Sequence, residues 1–261
     1  MAPSEADELA FPFIRMAPRP GKPREAGLTI VADRGMGLNR LTDLVDASGD
    51  LIDFFKVAIG AYRVQRADFI RRKMAALKAA DIRVFFAGDV GEAAMMQGVA
   101  ERFYRTVKEF GAEAVEVSSA QVIMSLQDKC TLIRMATDAG LKVVAEAGQK
   151  GFEDWTRSQS YVLRQIEAYQ QAGAWKVLLQ AEGLTEGVDA NKWDLILNIA
   201  AKFDIGDLIF QAKDGTSHAW YVTTFGNKVN LDIDDHQVID VELMRRGIRK
   251  RHVFGLVGGL E

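Results

Sequence analysis

From Gly27 onward, short apolar runs alternate with longer amphipathic stretches. The runs occupy residues 28–32, 52–58, 84–87, 114–117, 143–147, 177–181, 208–212 and 229–233. Each is a handful of residues rich in Val, Ile and Phe, which suits strands buried on both faces. Most are separated by helix-length segments. Residues 67–79 carry Ile70, Met74 and Leu77 at i, i+4 and i+7, and residues 158–172 carry Val162, Ile166 and Tyr169 at the same spacing. Residues 191–203 place Trp193, Ile196 and Ala200 on one face. Gly111, Gly140, Gly173 and Gly226 stand where a left-handed residue would stop a helix before the next strand. Eight strands alternating with helices predict an α/β fold of the (β/α)8 TIM-barrel type. The structural alternative is a doubly wound open sheet. It would show a glycine-rich dinucleotide turn after the first strand, but Gly35 and Gly37 are followed by Arg40 where the third glycine belongs.

All five prolines fall within the first 23 residues, so that stretch can form neither a continuous helix nor a central strand. Residues 1–26 are read as an extended arm, and 27–261 as the barrel. Phe11, Phe13, Ile14 and Met16 give the arm something to bury, either on the barrel's own helices or on a neighbouring subunit. A homo-oligomer is therefore expected.

Composition narrows the function classes. The 261 residues include 33 basic and 36 acidic side chains, a net charge of −3, and the pI is near 5.8. A dedicated nucleic-acid binder needs a positive surface, so none is expected here. No apolar run approaches the ~20 residues that cross a bilayer, and the N-terminus lacks the layout of a signal peptide. Neither a membrane partner nor export is expected, and the location read from the chain is cytoplasmic. The single cysteine, Cys130, shares a helical stripe with Leu126 and Ile133 and reads as a packed thiol.

In a barrel of this kind the reacting groups sit where strands end. The polar residues there are Asp33 and Arg34 on strand 1, Lys56 on strand 2, and Gly88 and Asp89 on strand 3. Strand 4 offers Glu116, Ser118 and Ser119, and strand 5 Glu146, Gln149 and Lys150. Gln180 and Glu182, Gln211 and Lys213, and Asn230 and Asp232 close the circuit on strands 6 to 8. Lys56 and Glu116 each interrupt an apolar strand, and a buried charge is costly unless paired or liganded. They form either an ion pair inside the barrel or a cation and a carboxylate facing its mouth. Lys56 with Lys150 and Arg34 would make an anion site. Asp33, Glu116 and Glu146 could hold a Mg²⁺, which takes oxygen ligands. His218, His236 and His252 lack metal-ligand spacing. Arg245, Arg246, Arg249, Lys250 and Arg251 fall at a helix C-terminus, where cations suit the dipole, and read as solvated or as a subunit contact. Met95 and Met96 read as core.

The segments GLTIVADRG (27–35), GDLIDFFK (49–56), AEAVEVSS (112–119) and VVAEAGQK (143–150) resemble the phosphosulfolactate synthase family. FGNKVNLDI (225–233) and VIDVELMRRGIRK (238–250) continue the similarity, which covers nearly the whole chain from Gly27. The resemblance implies a (β/α)8 barrel that adds sulfite to phosphoenolpyruvate with Mg²⁺, as a step of coenzyme M or sulfonate biosynthesis. It implies Lys150, Lys56 and Glu116 as catalytic residues. Arg34, Lys56, Ser118, Gln149, Gln180 and Gln211 would bind substrate, and Asp33, Glu116 and Glu146 the metal. The chain departs from the family at the strand ends. Val57–Tyr62 replaces Phe-Gly-Trp-Gly-Thr-Ser, and Ala87-Gly88-Asp89 replaces Gly-Gly-Thr. Ser119-Ala120 follows Ser118 where the family continues Asp-Gly, and Gln149 replaces the first lysine of a pair whose second is Lys150. Strand 6 ends Gln180-Ala181-Glu182 against Glu-Ala-Arg-Glu, and strand 7 ends Gln211-Ala212-Lys213 against Glu-Ala-Pro. Two carboxylates thus become amides, which cannot act as general bases and bind hard cations less strongly.

Three functions follow. The first is a phosphosulfolactate synthase-like carbon–sulfur lyase acting on a small anionic substrate, a phosphorylated three-carbon acid. The second is a divergent barrel enzyme with another nucleophile or small acid, its pocket lined by Tyr62, Asp89 and Lys213. The third is a non-catalytic binding or stress-related barrel.

Overall fold

In the computed structural model, which describes residues 9–148, 159–251 and 253–255, eight parallel strands close into a barrel, β8 pairing with β1. The strands are β1 (Thr29–Asp33), β2 (Phe54–Val57), β3 (Arg83–Phe86), β4 (Ala114–Val117), β5 (Lys142–Ala147), β6 (Lys176–Leu179), β7 (Leu208–Gln211) and β8 (Asn230–Asp234). The described helices are α1 (Leu38–Ser48), α2 (Ala61–Val64), α3 (Ala67–Ala79), α4 (Asp89–Met96), α5 (Ala100–Glu109), α6 (Leu126–Asp138), α7 (Gln159–Gln171), α8 (Trp193–Ala200), α9 (Gly215–Phe225) and α10 (Val238–Arg245). The predicted (β/α)8 barrel is the fold observed, and each predicted apolar run overlaps one strand, five of the strands reaching one residue beyond their run. No helix among the described residues is long and apolar enough to cross a membrane.

Side chains alternate across each strand, so two cores form. Val31, Phe55, Val57, Val115, Val143, Phe210 and Ile233 face outward into the large shell shared with the helices. Ile30, Phe54, Phe85, Ala114, Val144, Leu178 and Ile209 face inward and fill the lumen. Two residues further along five of these strands come Lys56, Glu116, Glu146, Gln180 and Gln211, with Asp232 level with them on β8. The apolar plug thus carries a polar layer one step nearer the strand C-termini. That layer is the floor of the site.

The opposite end is sealed by the arm. Residues 9–26 contain no helix or strand. Instead the chain around Ala17–Glu25 lies beneath its own barrel. Ala17 N–H donates to Arg246 O at 3.1 Å, Arg19 pairs with Glu242 at 3.2 Å, and Arg24 pairs with Asp53 at 3.2 Å. The apolar tip of the arm behaves differently: Phe11, Phe13 and Ile14 are exposed. Of the sulfur pair expected in the core, Met95 is packed against it and Met96 is exposed.

Arg245 corrects the reading of the basic cluster as solvated. Its exposure is 0%, and its guanidinium donates to the carbonyls of Gly27, Leu28 and Val229, where β1 and β8 begin. Parallel strands leave carbonyls unpaired at that end, and a helix C-terminus delivers a side chain to them. Gly27 permits the approach: its φ is +69°, and a Cβ would lie 2.3 Å from Asn227 O and 2.7 Å from Arg19. Replacing Arg245 by Met should lower unfolding stability by about 1–3 kcal/mol, since the buried Val229 carbonyl loses its donor, while Gly27 O keeps Arg19 and Leu28 O keeps the Leu231 N–H. A urea melt reads this, and an unchanged midpoint would contradict the role.

Candidate active site at the strand C-termini

Lys56 is the centre of the polar layer. Its Nζ lies 2.6 Å from Glu116 Oε2 and 3.1 Å from Asp232 Oδ2, so β2, β4 and β8 are tied across the lumen. Burial alone would lower the ammonium's pKa, but Asp232 and Glu116 outweigh it and hold it above the ordinary lysine range. Asp232 continues the chain of charges to Lys213 Nζ at 3.4 Å, and Lys213 reaches Asp234 at 3.3 Å. Burial would raise the Asp232 carboxyl, but Lys56 and then Lys213 outweigh it and hold it low. Glu116 Oε1 also accepts from Gly88 N–H at 3.2 Å. Gly88 must be glycine there, because a Cβ would sit 2.2 Å from Ser118 Oγ and 2.7 Å from its Cβ.

Glu146 is the odd member. Its carboxyl is pushed up to about 7 by burial and by the negative Glu116, against the opposing effects of Lys129 and a hydrogen bond from Gln180. Gln180 Oε1 is buried without a hydrogen-bond partner. Gln211 Oε1 accepts from Ala181 N–H at 3.2 Å, which fixes the amide at the rim.

The predicted metal ligands do not all meet. Glu116 and Glu146 face the lumen together, but Asp33 does not. It follows Val31 on the outward side of β1, where it is fully buried against Lys73 of α3 at 2.5 Å. Its other oxygen accepts from Gly35 and Met36 N–H at 2.9 and 2.6 Å. Asp33 caps its own loop. Among the described residues no three or more His, Cys, Asp or Glu side chains are placed so that together they could hold a metal ion. Of the three lumenal carboxylates, Asp232 is taken up by Lys56 and Lys213, which leaves Glu116 and Glu146 beside the orphaned Gln180 oxygen. An oxygen set of that size fits Mg²⁺, which commonly keeps several waters and takes one or two carboxylates.

The remaining predicted residues divide. Ser118 donates its hydroxyl to Glu92 of α4, away from the lumen. Arg34 lines a cleft of about 500 Å³ at the ends of β1 and β8, with Gly35, Gly37, Arg40, Asp234 and His236. Gln149 and Lys150 lie outside the described residues. The sequence placed Asp232 at the end of strand 8 without giving it a role, and it did not point to the buried Lys73, Glu92 and Lys129. A signal for the lysines existed. Lys73 sits within the Ile70, Met74, Leu77 stripe and Lys129 within Leu126, Cys130, Ile133, each on a helix face that had to be buried.

A closed parallel barrel with an ion-pair network at its strand C-termini belongs to the class of (β/α)8 proteins that place their chemistry on that face. The family model of (2R)-phospho-3-sulfolactate synthase (ComA) matches residues 17–251, and the chain belongs to that family. It is 32% identical to the phosphosulfolactate synthase of Bacillus subtilis, covering 90% of this chain and 96% of that protein. The Methanothermobacter thermautotrophicus synthase is 29% identical, over 92% and 96% of the two chains. The Arabidopsis thaliana protein HEAT-STRESS-ASSOCIATED 32 is similar at 22% identity, over 90% and 91%. Among solved structures, phosphonopyruvate hydrolase in complex with oxalate and Mg++ shares the barrel, with TM-score 0.54 and 15% identity over 82% of this chain and 77% of that one.

The raised Glu146 carboxyl has a consequence for stability. Its folded value, about 7, exceeds the ordinary 4.5, so the folded protein holds a proton that the unfolded chain has released between those values. Stability from this group is therefore full below about 4.5 and is lost as pH rises through 7, by on the order of 3 kcal/mol. Thermal melts of wild type and Glu146→Gln from pH 5 to 8 test this. The wild type should lose stability relative to the variant, and parallel curves would contradict the shift.

Proposed function

We propose that the chain is a phosphosulfolactate synthase-like carbon–sulfur lyase that adds sulfite to phosphoenolpyruvate. The observation that carries this reading is the lumenal network in which Lys56 bridges Glu116 and Asp232 beside Glu146 and Gln180. The sulfur lone pair forms a bond to C3 of phosphoenolpyruvate while the C2=C3 π pair moves onto C2 and its carboxylate. A proton added to C2 completes phosphosulfolactate. An ammonium has three donors. Two of those on Lys56 are used on Glu116 and Asp232, and the third is assigned to the enolate-like oxygen that gains charge. Glu116, Glu146 and Gln180 would hold Mg²⁺, which supplies further neutralisation of that charge when bound. Arg34, in the cleft at the start of α1, is assigned to the phosphate. Proton delivery to C2 is assigned to Lys150 or to a water.

Charge balance supports the metal. Within the described mouth, Lys56 and Lys213 face the carboxylates of Glu116, Asp232 and Asp234 and the partly protonated Glu146, so acids outnumber cations. A trianionic acid and sulfite would be repelled by that balance unless a divalent cation accompanies them.

A second reading, a divergent enzyme using another nucleophile or small acid, is favoured by one feature. Gln180 and Gln211 remove two negative charges from adjacent strands while Lys213 is held by Asp232 and Asp234. Purified protein with Mg²⁺, phosphoenolpyruvate and sulfite should yield phosphosulfolactate by ³¹P NMR. Lys56→Met should lower kcat/KM by about 10²- to 10³-fold, and chelation of Mg²⁺ should abolish turnover. Absence of product, together with a thermal shift from another organic acid and none from phosphoenolpyruvate, would overturn the first reading in favour of the second.

A further inference from the structure

Behind the polar layer, two helices insert oppositely charged side chains on either side of one loop. Glu92 of α4, 2% exposed, receives the Ser118 hydroxyl and the N–H groups of Ala120, Gln121 and Val122, each of these three at 2.8 Å. Lys129 of α6, also 2% exposed, donates to Ser119 Oγ at 2.9 Å and to the Glu146 carbonyl at 2.5 Å. Every residue from Ser118 to Val122 is therefore held by one of these two charges. The loop they hold begins two residues beyond Glu116, and the Lys129 bond joins it to the strand that carries Glu146.

Lys129 is an expensive way to fasten a loop. Among the described residues its contacts are a hydroxyl, a carbonyl and the face of Tyr169 at 5.2 Å, none of them a carboxylate. A buried cation without an ion-pair partner forfeits its hydration for a few hydrogen bonds, so its desolvation cost is poorly offset. Burial lowers its pKa to about 8 against the pull of Glu146. Glu92 shows the reverse economy, four donors satisfied by one carboxylate, a pattern that orders a backbone segment strongly.

We propose that Glu92 and Lys129 are positioning residues that act together through the Ser118–Val122 loop, setting the spacing of Glu116 and Glu146 across the end of β4 and β5. The kinetic part of this inference rests on the sulfite addition proposed above, while its structural part does not. A displacement of about 1 Å in a catalytic group costs up to ~10²-fold in rate.

Three variants test the clamp: Glu92→Gln, Lys129→Met and the double variant. Hydrogen exchange of the Ala120–Val122 amides should accelerate at least tenfold in E92Q, because the amide replaces one acceptor oxygen with a donor. K129M should melt no lower than wild type yet lose 10- to 100-fold in kcat, with KM for phosphoenolpyruvate changed less than threefold. A purely structural lysine would lower the melting temperature and leave kcat intact. The double variant should lose less activity than the product of the two single losses, since both act on one loop. If E92Q does not fold, Glu92→Asp, which keeps both oxygens one methylene short, takes its place. Unchanged amide exchange in the Glu92 variant, full activity in K129M, or independent losses in the double variant would each overturn the inference. If the wild type makes no phosphosulfolactate, the proposed reaction fails on its own account, and the exchange experiment alone decides the clamp.

Discussion

Lys56 places a full positive charge in the lumen of a parallel barrel, and the rest of the site is arranged around satisfying it. A lone ammonium there would forfeit its hydration. Glu116 and Asp232 supply the countercharge from opposite sides, so three strands that are not neighbours become linked through one nitrogen. Each of those carboxylates then needs its own partners. Glu116 takes the Gly88 N–H, and Asp232 takes Lys213. The floor of the mouth is thereby ordered before any ligand arrives. Preorganised dipoles of this kind are what electrostatic catalysis requires.

The barrel was legible because its two periodicities are strong. Runs of Val, Ile and Phe marked strands buried on both faces, and stripes such as Ile70, Met74 and Leu77 marked the helix faces covering them. The same alternation rule also decides which polar residues reach the lumen. Lys56, Glu116, Glu146, Gln180 and Gln211 lie in step with the inward Phe54, Ala114, Val144, Leu178 and Ile209. Asp33 lies in step with Val31 and turns toward Lys73. Its removal from the metal set was thus implicit in parity, although its position at a strand end suggested otherwise.

Other parts of the site were not legible for a different reason. Glu92 and Lys129 are distant in sequence from the strand ends they serve, and a charged residue on a helix usually faces water. Only the three-dimensional path of the Ser118–Val122 loop shows that both are needed inside. Arg245 belongs to the same group. A run of basic residues at a helix terminus reads as a solvated end, yet one of them closes the base of the barrel on the carbonyls where β1 and β8 begin. In each case a helix side chain completes hydrogen bonds that a parallel sheet leaves open at its ends.

The amides at Gln180 and Gln211 gain their meaning from this arrangement. Carboxylates at those positions would join Glu116, Glu146, Asp232 and Asp234 and would raise four acids to six around two lysines. Burial and the negative Glu116 already push the Glu146 carboxyl up to about 7, so two further acids would be protonated or would demand more cation. The amides keep oxygen atoms at the rim without that demand, as the anchored Gln211 and the unpartnered Gln180 Oε1 illustrate. The cost falls on metal affinity, because an amide oxygen is a weaker ligand for a hard cation than a carboxylate. Under the proposed reaction, such a mouth suits a cation that arrives together with the anionic substrate rather than one that stays bound between turnovers.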